Sequence, residues 1–388
     1  MATIFVAPNP GLKPTKLESQ NFGVVKEEIE GLIKVYKDGY VERPEIVPCV
    51  SSALPPELGV ISRDIVIDKS INIWARFYVP TTSQQKVLGN YKLPLLVYFH
   101  GGGFCVGSAA WSCYHEFLAK LAAKSSCLIM SVNYRLAPEN PLPAAYEDGF
   151  KALSWLKQTA LSVNNNNNYS HHQWWTQHCD FERIVLAGDS AGANIAYNVA
   201  ARLCLEMKSL RPLLVKGLVL LQPFFGGETR TGSEKYSMVQ PQPPRSSALS
   251  LAASDTYWRL ALPAGANRDH PWCKPLGKVM VVEKEKGGVG IGVGVPMLVC
   301  VSEMDILRDR NLEFCSEMGK AGRHVEFEVY RGVGHAFQVL SKSQISQTRC
   351  YEMQFLYQLG DENGNLCAVG EPPVSNDNAS TPDLTLES

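Results

Sequence analysis

The sequence is poor in charge. Asp, Glu, Lys and Arg make up 19% of its 388 residues, against the ~25% usual for soluble domains. Neither sign is in surplus: 37 Lys and Arg face 38 Asp and Glu, a net charge of -1. A nucleic-acid binder carries a basic excess and a polybasic anchor a basic cluster, so neither nucleic acid nor membrane is expected as a partner. Long hydrophobic runs are missing too. Nothing approaches the ~18 consecutive apolar residues that cross a bilayer. Residues 1–20 hold no signal-like core, because Pro8 and Pro10 follow Ile4-Phe5-Val6-Ala7 at once. The C-terminus lacks prenylation, peroxisomal and retention signals. Glycine at 31 and proline at 24 residues stay far below the ~25–30% of low-complexity chains. No repeat is visible. The 11 cysteines have no regular spacing, and Cys127, Cys204 and Cys300 sit inside apolar stretches. Free buried thiols in a reducing compartment fit that pattern, so a cytoplasmic location is expected.

What is present is core material: 45% of residues are hydrophobic. Length alone suggests two or three domains at ~150 residues each, but the patterning argues for one. Val25, Ile29, Leu32, Ile33 and Tyr36 recur at helical spacing and predict an amphipathic helix over residues 24–36. Residues 63–68 and 71–79 read as short strands. From Leu93 onward, strands at 95–99, 127–132, 183–187, 215–221, 295–301 and 325–330 alternate with helices at 112–123, 144–160, 192–207, 309–321 and 345–359. That alternation predicts right-handed crossovers and a mainly parallel sheet covered on both faces. Residues 163–179 are expected to be a surface loop, since the run Asn164–Asn168 cannot pack a core. Residues 278–294 read as a second loop insertion and 361–388 as a disordered tail.

The strongest chemical signal is Gly188-Asp189-Ser190-Ala191-Gly192. An apolar strand leads into it and a helix leads out. Gly-x-Ser-x-Gly in that setting is a nucleophile elbow, which lifts Ser190 Oγ into the open above a helix N-terminus. A second signal is His100-Gly101-Gly102-Gly103-Phe104, directly after the strand at 95–99. Glycines there let backbone N–H groups face a ligand without Cβ obstruction. No Gly-Lys-Ser/Thr follows, which disfavours a P-loop. The alternative is an oxyanion hole from the N–H groups of Gly102, Gly103 and Ala191. His100 and Gly101 are then shapers of that loop.

A nucleophilic serine needs a base and an orienting acid, in the chain order Ser, Asp/Glu, His. His335 follows Gly332-Val333-Gly334, just past the strand at 325–330, and is the candidate base. His324 begins that strand and reads as an edge residue. Glu303, Asp305 and Asp309 compete for the acid. Asp305 sits in the turn after the strand at 295–301, whereas Asp309 reads as a helix-surface charge. His171, His172, His178 and Cys179 invite a metal but lack a second half-site, so no metal is expected. His115 and His270 read as structural, and Cys105 as a bystander without an activating base.

Assembled, these residues resemble the plant carboxylesterase group within the hormone-sensitive-lipase-like branch of the α/β-hydrolases. The matching pieces are His100 to Phe104 with Gly107-Ser108, the string Tyr134-Arg135-Leu136-Ala137-Pro138-Glu139, Gly188 to Asn194, Asp305 and Gly334-His335. The resemblance spans roughly residues 38–359. It implies an α/β-hydrolase fold, with one catalytic domain over 61–360 and a cap from residues 1–60 plus an insertion at 223–262. It implies a serine carboxylesterase acting on a small-molecule ester, without cofactor or protein partner. Two relatives of this kind set alternatives: dehydratases or cyclases using the same site, and gibberellin receptors, which have lost the catalytic histidine that His335 supplies here.

Overall fold

The computed structural model describes residues 23–81, 92–164, 172–205, 210–239, 247–275 and 295–340. The expected insertion at 278–294, the helix at 345–359 and the tail at 361–388 lie outside the described residues.

Two sheets form. A small antiparallel sheet holds β1 (Val25–Ile29), β2 (Ile33–Tyr36) and β3 (Val41–Glu42). This corrects the helix expected over 24–36. Gly31 turns the chain at φ 71°, a left-handed conformation that an L-residue resists. Ile29 then pairs with Ile33. Ile33 and Val35 face the core with strand periodicity, at 0% and 7% exposure, so the period of two wins over the helical spacing.

Among the described residues the main sheet has eight strands: β4 (Val60–Asp68), β5 (Ile73–Pro80), β6 (Leu93–Phe99), β7 (Leu128–Asn133), β8 (Cys179–Asp189), β9 (Val215–Leu221), β10 (Met297–Ser302) and β11 (Val325–Tyr330). Their order is β11-β10-β9-β8-β6-β7-β5-β4, with β11 at one edge. Pairing is parallel from β11 through β7. It turns antiparallel at β5 and β4.

Helices cover both faces, which explains why the central strands read as unbroken apolar runs. In β6, Leu95, Val97 and Phe99 join one core and Leu96 and Tyr98 the other. The first core is closed by α2 (Ala144–Asn164), α4 (Ala191–Leu205) and α7 (Arg308–Lys320), through residues such as Leu153, Ile195 and Phe314. The second is closed by α1 (Ser112–Ser125) and α8 (Phe337–Leu340), through Leu118, Leu121 and Phe337. Each large apolar side chain so buried contributes roughly 1.5–3 kcal/mol.

The segment at 163–179 is not a loop throughout. A short helix α3 (Gln173–Thr176) carries Trp175 into the core at 0% exposure, and Cys179 begins β8, equally buried. Trp175 stacks on Trp155 at 6.1 Å and lies 4.7 Å from the Phe77 ring. The aromatic area outweighs the polar asparagine run beside it. Between β9 and β10 the chain leaves the sheet to form α5 (Gly232–Val239) and α6 (Leu251–Ala261). Among the described residues, no helix is long and apolar enough to cross a membrane.

Candidate active site

The C-terminal ends of parallel strands converge on one sheet edge. Four loops meet there: after β6, after β8, after β10 and after β11. At the end of β8 the chain reverses through Ser190, whose φ of 53° lies in the left-handed region. Such a conformation in a non-glycine residue costs about 1–3 kcal/mol. Backbone bonds hold it in place. Ser190 N–H donates to the Leu221 carbonyl at 2.8 Å, and the Ser190 carbonyl accepts from Phe224 N–H at 3.0 Å. Gly192 is required by close approach, because a Cβ there would run into the Phe99 carbonyl.

His335 touches both other candidate groups. Its Nε2 lies 2.8 Å from Ser190 Oγ and its Nδ1 lies 2.7 Å from Asp305 Oδ2. A neutral ring in this arrangement donates Nδ1–H to the carboxylate and accepts the serine hydroxyl proton at Nε2. All three are buried, with Ser190 at 6%, His335 at 5% and Asp305 at 2% exposure. The other Asp305 oxygen accepts the Leu307 N–H at 3.0 Å, which fixes the carboxylate plane. The competing acids are engaged elsewhere. Glu303 accepts the Gly332 N–H at 2.8 Å. Asp309 accepts the Ser233 N–H at 2.7 Å and pairs with Arg308 at 3.0 Å. His324 is exposed and lies 3.4 Å from Glu326.

The glycine loop after β6 lies beside Ser190. Among the described residues, no acceptor takes the N–H of Gly102, Gly103 or Ala191. Gly103 has φ 59°, and a Cβ there would collide with the Tyr257 ring of α6. His100 is wholly buried beneath the loop. Its Nδ1 sits 2.8 Å from the Gly101 carbonyl, its ring stacks on Tyr134 at 4.3 Å, and Tyr134 donates its hydroxyl to the His100 carbonyl at 2.8 Å. Burial pushes the His100 pKa down to about 4, which keeps the ring neutral. The Tyr134–Glu139 string underpins the loop from another side. Arg43 donates to the carbonyls of Cys105 and Ala137 and pairs with Glu139 at 2.5 Å.

Several contributors escape a reading of motifs. Gln222 directly follows β9 and ties the end of β10 to the loop after β11. It accepts the Ala336 N–H at 2.7 Å and donates to Ser302 Oγ at 2.6 Å. Asn194, on the first turn of α4, accepts from Tyr146 at 2.8 Å and donates to the carbonyls of Phe224 and Trp272. Asn194 closes the matching piece Gly188 to Asn194 but its partners do not show there, and Gln222 is marked only as a polar residue inside apolar surroundings. The N-terminal segment supplies Leu32, Ile46 and Val47 to the cavity above Ser190, and nothing in the chain's spacing places them there. The opposite wall comes from Phe224, Leu249 and Tyr257. The cavity holds about 120 Å³. Among the described residues, no group of three His, Cys, Asp or Glu side chains could hold a metal ion.

The chain is similar in sequence and fold to known proteins. The α/β-hydrolase-fold family pattern covers residues 96–339. Probable carboxylesterase 6 of Arabidopsis thaliana is 52% identical over 331 residues, covering 85% of this chain and 90% of that protein. The chain belongs to the plant carboxylesterases of the hormone-sensitive-lipase-like α/β-hydrolase family. It is a carboxylic ester hydrolase. This carboxylesterase is also 36% identical to the 2-hydroxyisoflavanone dehydratase of Glycyrrhiza echinata, over 81% of this chain and 90% of that one. Among solved structures, the carboxylesterase EstE1 from a metagenomic library is 25% identical with a TM-score of 0.59, covering 79% of this chain and 88% of that one. The hyperthermophilic esterase of Pyrobaculum calidifontis is 26% identical with a TM-score of 0.59, over 77% and 82% of the two chains.

Proposed function

We propose that ester hydrolysis runs through Ser190 as nucleophile, His335 as general base and Asp305 as the acid that orients it. The observation that carries this reading is the continuous chain from Ser190 through His335 to Asp305, at 2.8 and 2.7 Å. His335 takes the hydroxyl proton as Ser190 Oγ attacks the ester carbonyl. Negative charge then gathers on the carbonyl oxygen, where the N–H groups of Gly102, Gly103 and Ala191 form the oxyanion hole. Each such donor is worth about 3–4 kcal/mol of transition-state stabilisation. His335 returns the proton to the leaving alcohol, which leaves an acyl group on Ser190. Water activated by His335 then releases the acid. Asp305 holds the ring tautomer and stabilises the imidazolium.

The substrate is a small to medium, uncharged carboxylic ester. The cavity is small, and its described lining residues include no Lys or Arg to meet an anionic group. Residues 1–60 and 223–262 act as the cap that shapes it. The support is that Leu32 and Tyr257 line the same cavity, and that Arg259 of α6 pairs with Glu27 of β1 at 3.0 Å. We assign the enzyme to the cytoplasm on its free thiols, among them the buried Cys105, Cys127, Cys179, Cys273, Cys300 and Cys315. A dehydratase chemistry on the same site is the second reading, favoured by the dehydratase relative. Mass spectrometry of products separates the two, since hydrolysis adds water and dehydration removes it.

The decisive test replaces Ser190 with Ala and follows a short-chain aryl ester. Turnover should vanish, by about 10⁶-fold, while the melting temperature stays near that of the parent. Parent-like turnover in Ser190→Ala would overturn the assignment.

A further inference from the structure

Asp189 directly precedes Ser190, takes no part in the Ser–His–Asp chain, and is 1% exposed. Among the described residues no Lys or Arg pairs with its carboxylate. Three neutral donors hold it instead. Tyr98 donates to Oδ1 at 2.7 Å, Tyr114 donates to Oδ2 at 2.9 Å, and the Gly101 N–H reaches Oδ1 at 3.0 Å. The Gly101 N–H also lies 2.8 Å from the Tyr114 hydroxyl. Tyr114 therefore accepts from the glycine loop while it donates to the carboxylate, and the three groups close a ring. Gly101 rests directly on Asp189, because a Cβ there would strike the carboxylate oxygen.

With Tyr98 added, the network joins three separate elements. Tyr98 comes from β6, Tyr114 from α1 and Asp189 from the end of β8. Burial pushes the Asp189 pKa up, opposed by the two tyrosine hydroxyls. A carboxylate placed in an apolar interior is costly unless its lone pairs are filled. Here the filled lone pairs bind the backbone that leads into Gly102 and Gly103. A donor in an oxyanion hole helps only when aimed at the oxygen of the tetrahedral intermediate, and a misplacement near 1 Å is expensive.

We propose that Asp189, with Tyr98 and Tyr114, is a positioning residue that sets the Gly101–Gly103 backbone against the Ser190 elbow. The proposal rests on the nucleophile and oxyanion assignment above. Asp189 and Tyr114 border the floor of the cavity, but their polar atoms are taken up by one another, by Tyr98 and by the Gly101 N–H. The effect of the ring falls on the transition state, with little change in substrate binding.

The test uses Asp189→Asn, Tyr114→Phe and the double variant in the full chain, with active sites counted by fluorophosphonate labelling taken to completion. In Asp189→Asn an amide donor faces the Tyr114 hydroxyl, so the ring breaks. In Tyr114→Phe one hydroxyl is lost, and this variant carries the test by itself if Asp189→Asn does not fold. Turnover per labelled site should fall roughly 10- to 100-fold in each single variant, with KM within about twofold. Inhibition by an aryl trifluoromethyl ketone, which forms an oxyanion adduct on Ser190, should weaken by the same factor as kcat/KM. The double variant should be little worse than the poorer single one, because the two groups act as a unit. A lowered melting temperature with parent-like turnover per labelled site and parent-like ketone affinity would overturn the proposal and leave Asp189 a support of stability alone. Failure of the underlying assignment reads out separately, as turnover surviving in Ser190→Ala.

Discussion

The sheet edge and the cavity wall differ in how they are built. At the edge, every group that meets Ser190 hangs from the end of a parallel strand and is tied to its neighbours by short polar contacts. His335 is bonded to Ser190 and Asp305, Gln222 to Ala336 and Ser302, and His100 to Gly101. The wall is assembled from distant, apolar pieces: Leu32 and Val47 from the N-terminal segment, Leu249 and Tyr257 from the stretch between β9 and β10. Polar contacts with narrow geometry fix atoms to within tenths of an ångström, and apolar contact fixes only shape and volume. On the proposed assignment chemistry belongs to the edge and substrate choice to the wall, and the two should fail in different ways.

The sharpest break is at Gly103, where wall and edge touch. Gly103→Ala sets a methyl group against the Tyr257 ring and displaces the loop. Turnover on a short aryl ester should fall by about 10²–10³-fold. Adding Tyr257→Ala should recover part of that loss if the collision is its cause. No recovery in the double variant would place the fault in the loop backbone itself.

A smaller effect separates the buried support of the edge from the wall by pH. His100 is held near a pKa of 4 in the folded protein, against about 6.5 when unfolded. Its folded value is depressed, so its contribution is fully present above about pH 6.5 and is lost as pH falls toward 4. Over that window unfolding free energy should drop by roughly 3 kcal/mol from this group. Urea unfolding at successive pH values checks it, with His100→Asn as the comparison. A parent slope unchanged in that variant would assign the acid sensitivity to other groups.

The mildest change is at the wall. Leu32→Ala enlarges the cavity where the β1–β2 turn meets it. Preference should shift toward longer acyl or alcohol groups by about tenfold in relative kcat/KM, the scale of one or two methylenes. Turnover of an acetyl ester should hardly move. A parent-like chain-length profile would show that Leu32 does not bound the substrate.

The same contrast explains what the sequence discloses. Ser190, His335 and the glycine loop stand out because sharp turns and close backbone approach demand glycine at fixed offsets, and Asp305 stands out by its place in the turn after an apolar strand. The strands of the main sheet stand out because burial on both faces leaves unbroken apolar runs. Residues 24–36 mislead because Val25, Ile29, Leu32 and Tyr36 fit a helical period as well as a strand pair, and only the turn at Gly31 decides between them. Trp175 is hidden by the asparagines before it. Leu32, Ile46, Val47 and Gln222 are illegible for a different reason. Their roles arise from contacts across the fold, and no local spacing encodes those contacts.

The position of β11 has a further consequence. Among the described residues it is the outermost strand, paired on one side only, and the loop that follows it carries His335. Edge strands loosen at lower free energy than the strands they border. The proposed base therefore hangs from an element that can detach while the elbow at the centre of the sheet remains intact. Hydrolysis then reports on the docking of one peripheral strand. Under heat or denaturant this enzyme should fall silent by local opening, with most of its hydrogen-bonded framework still standing.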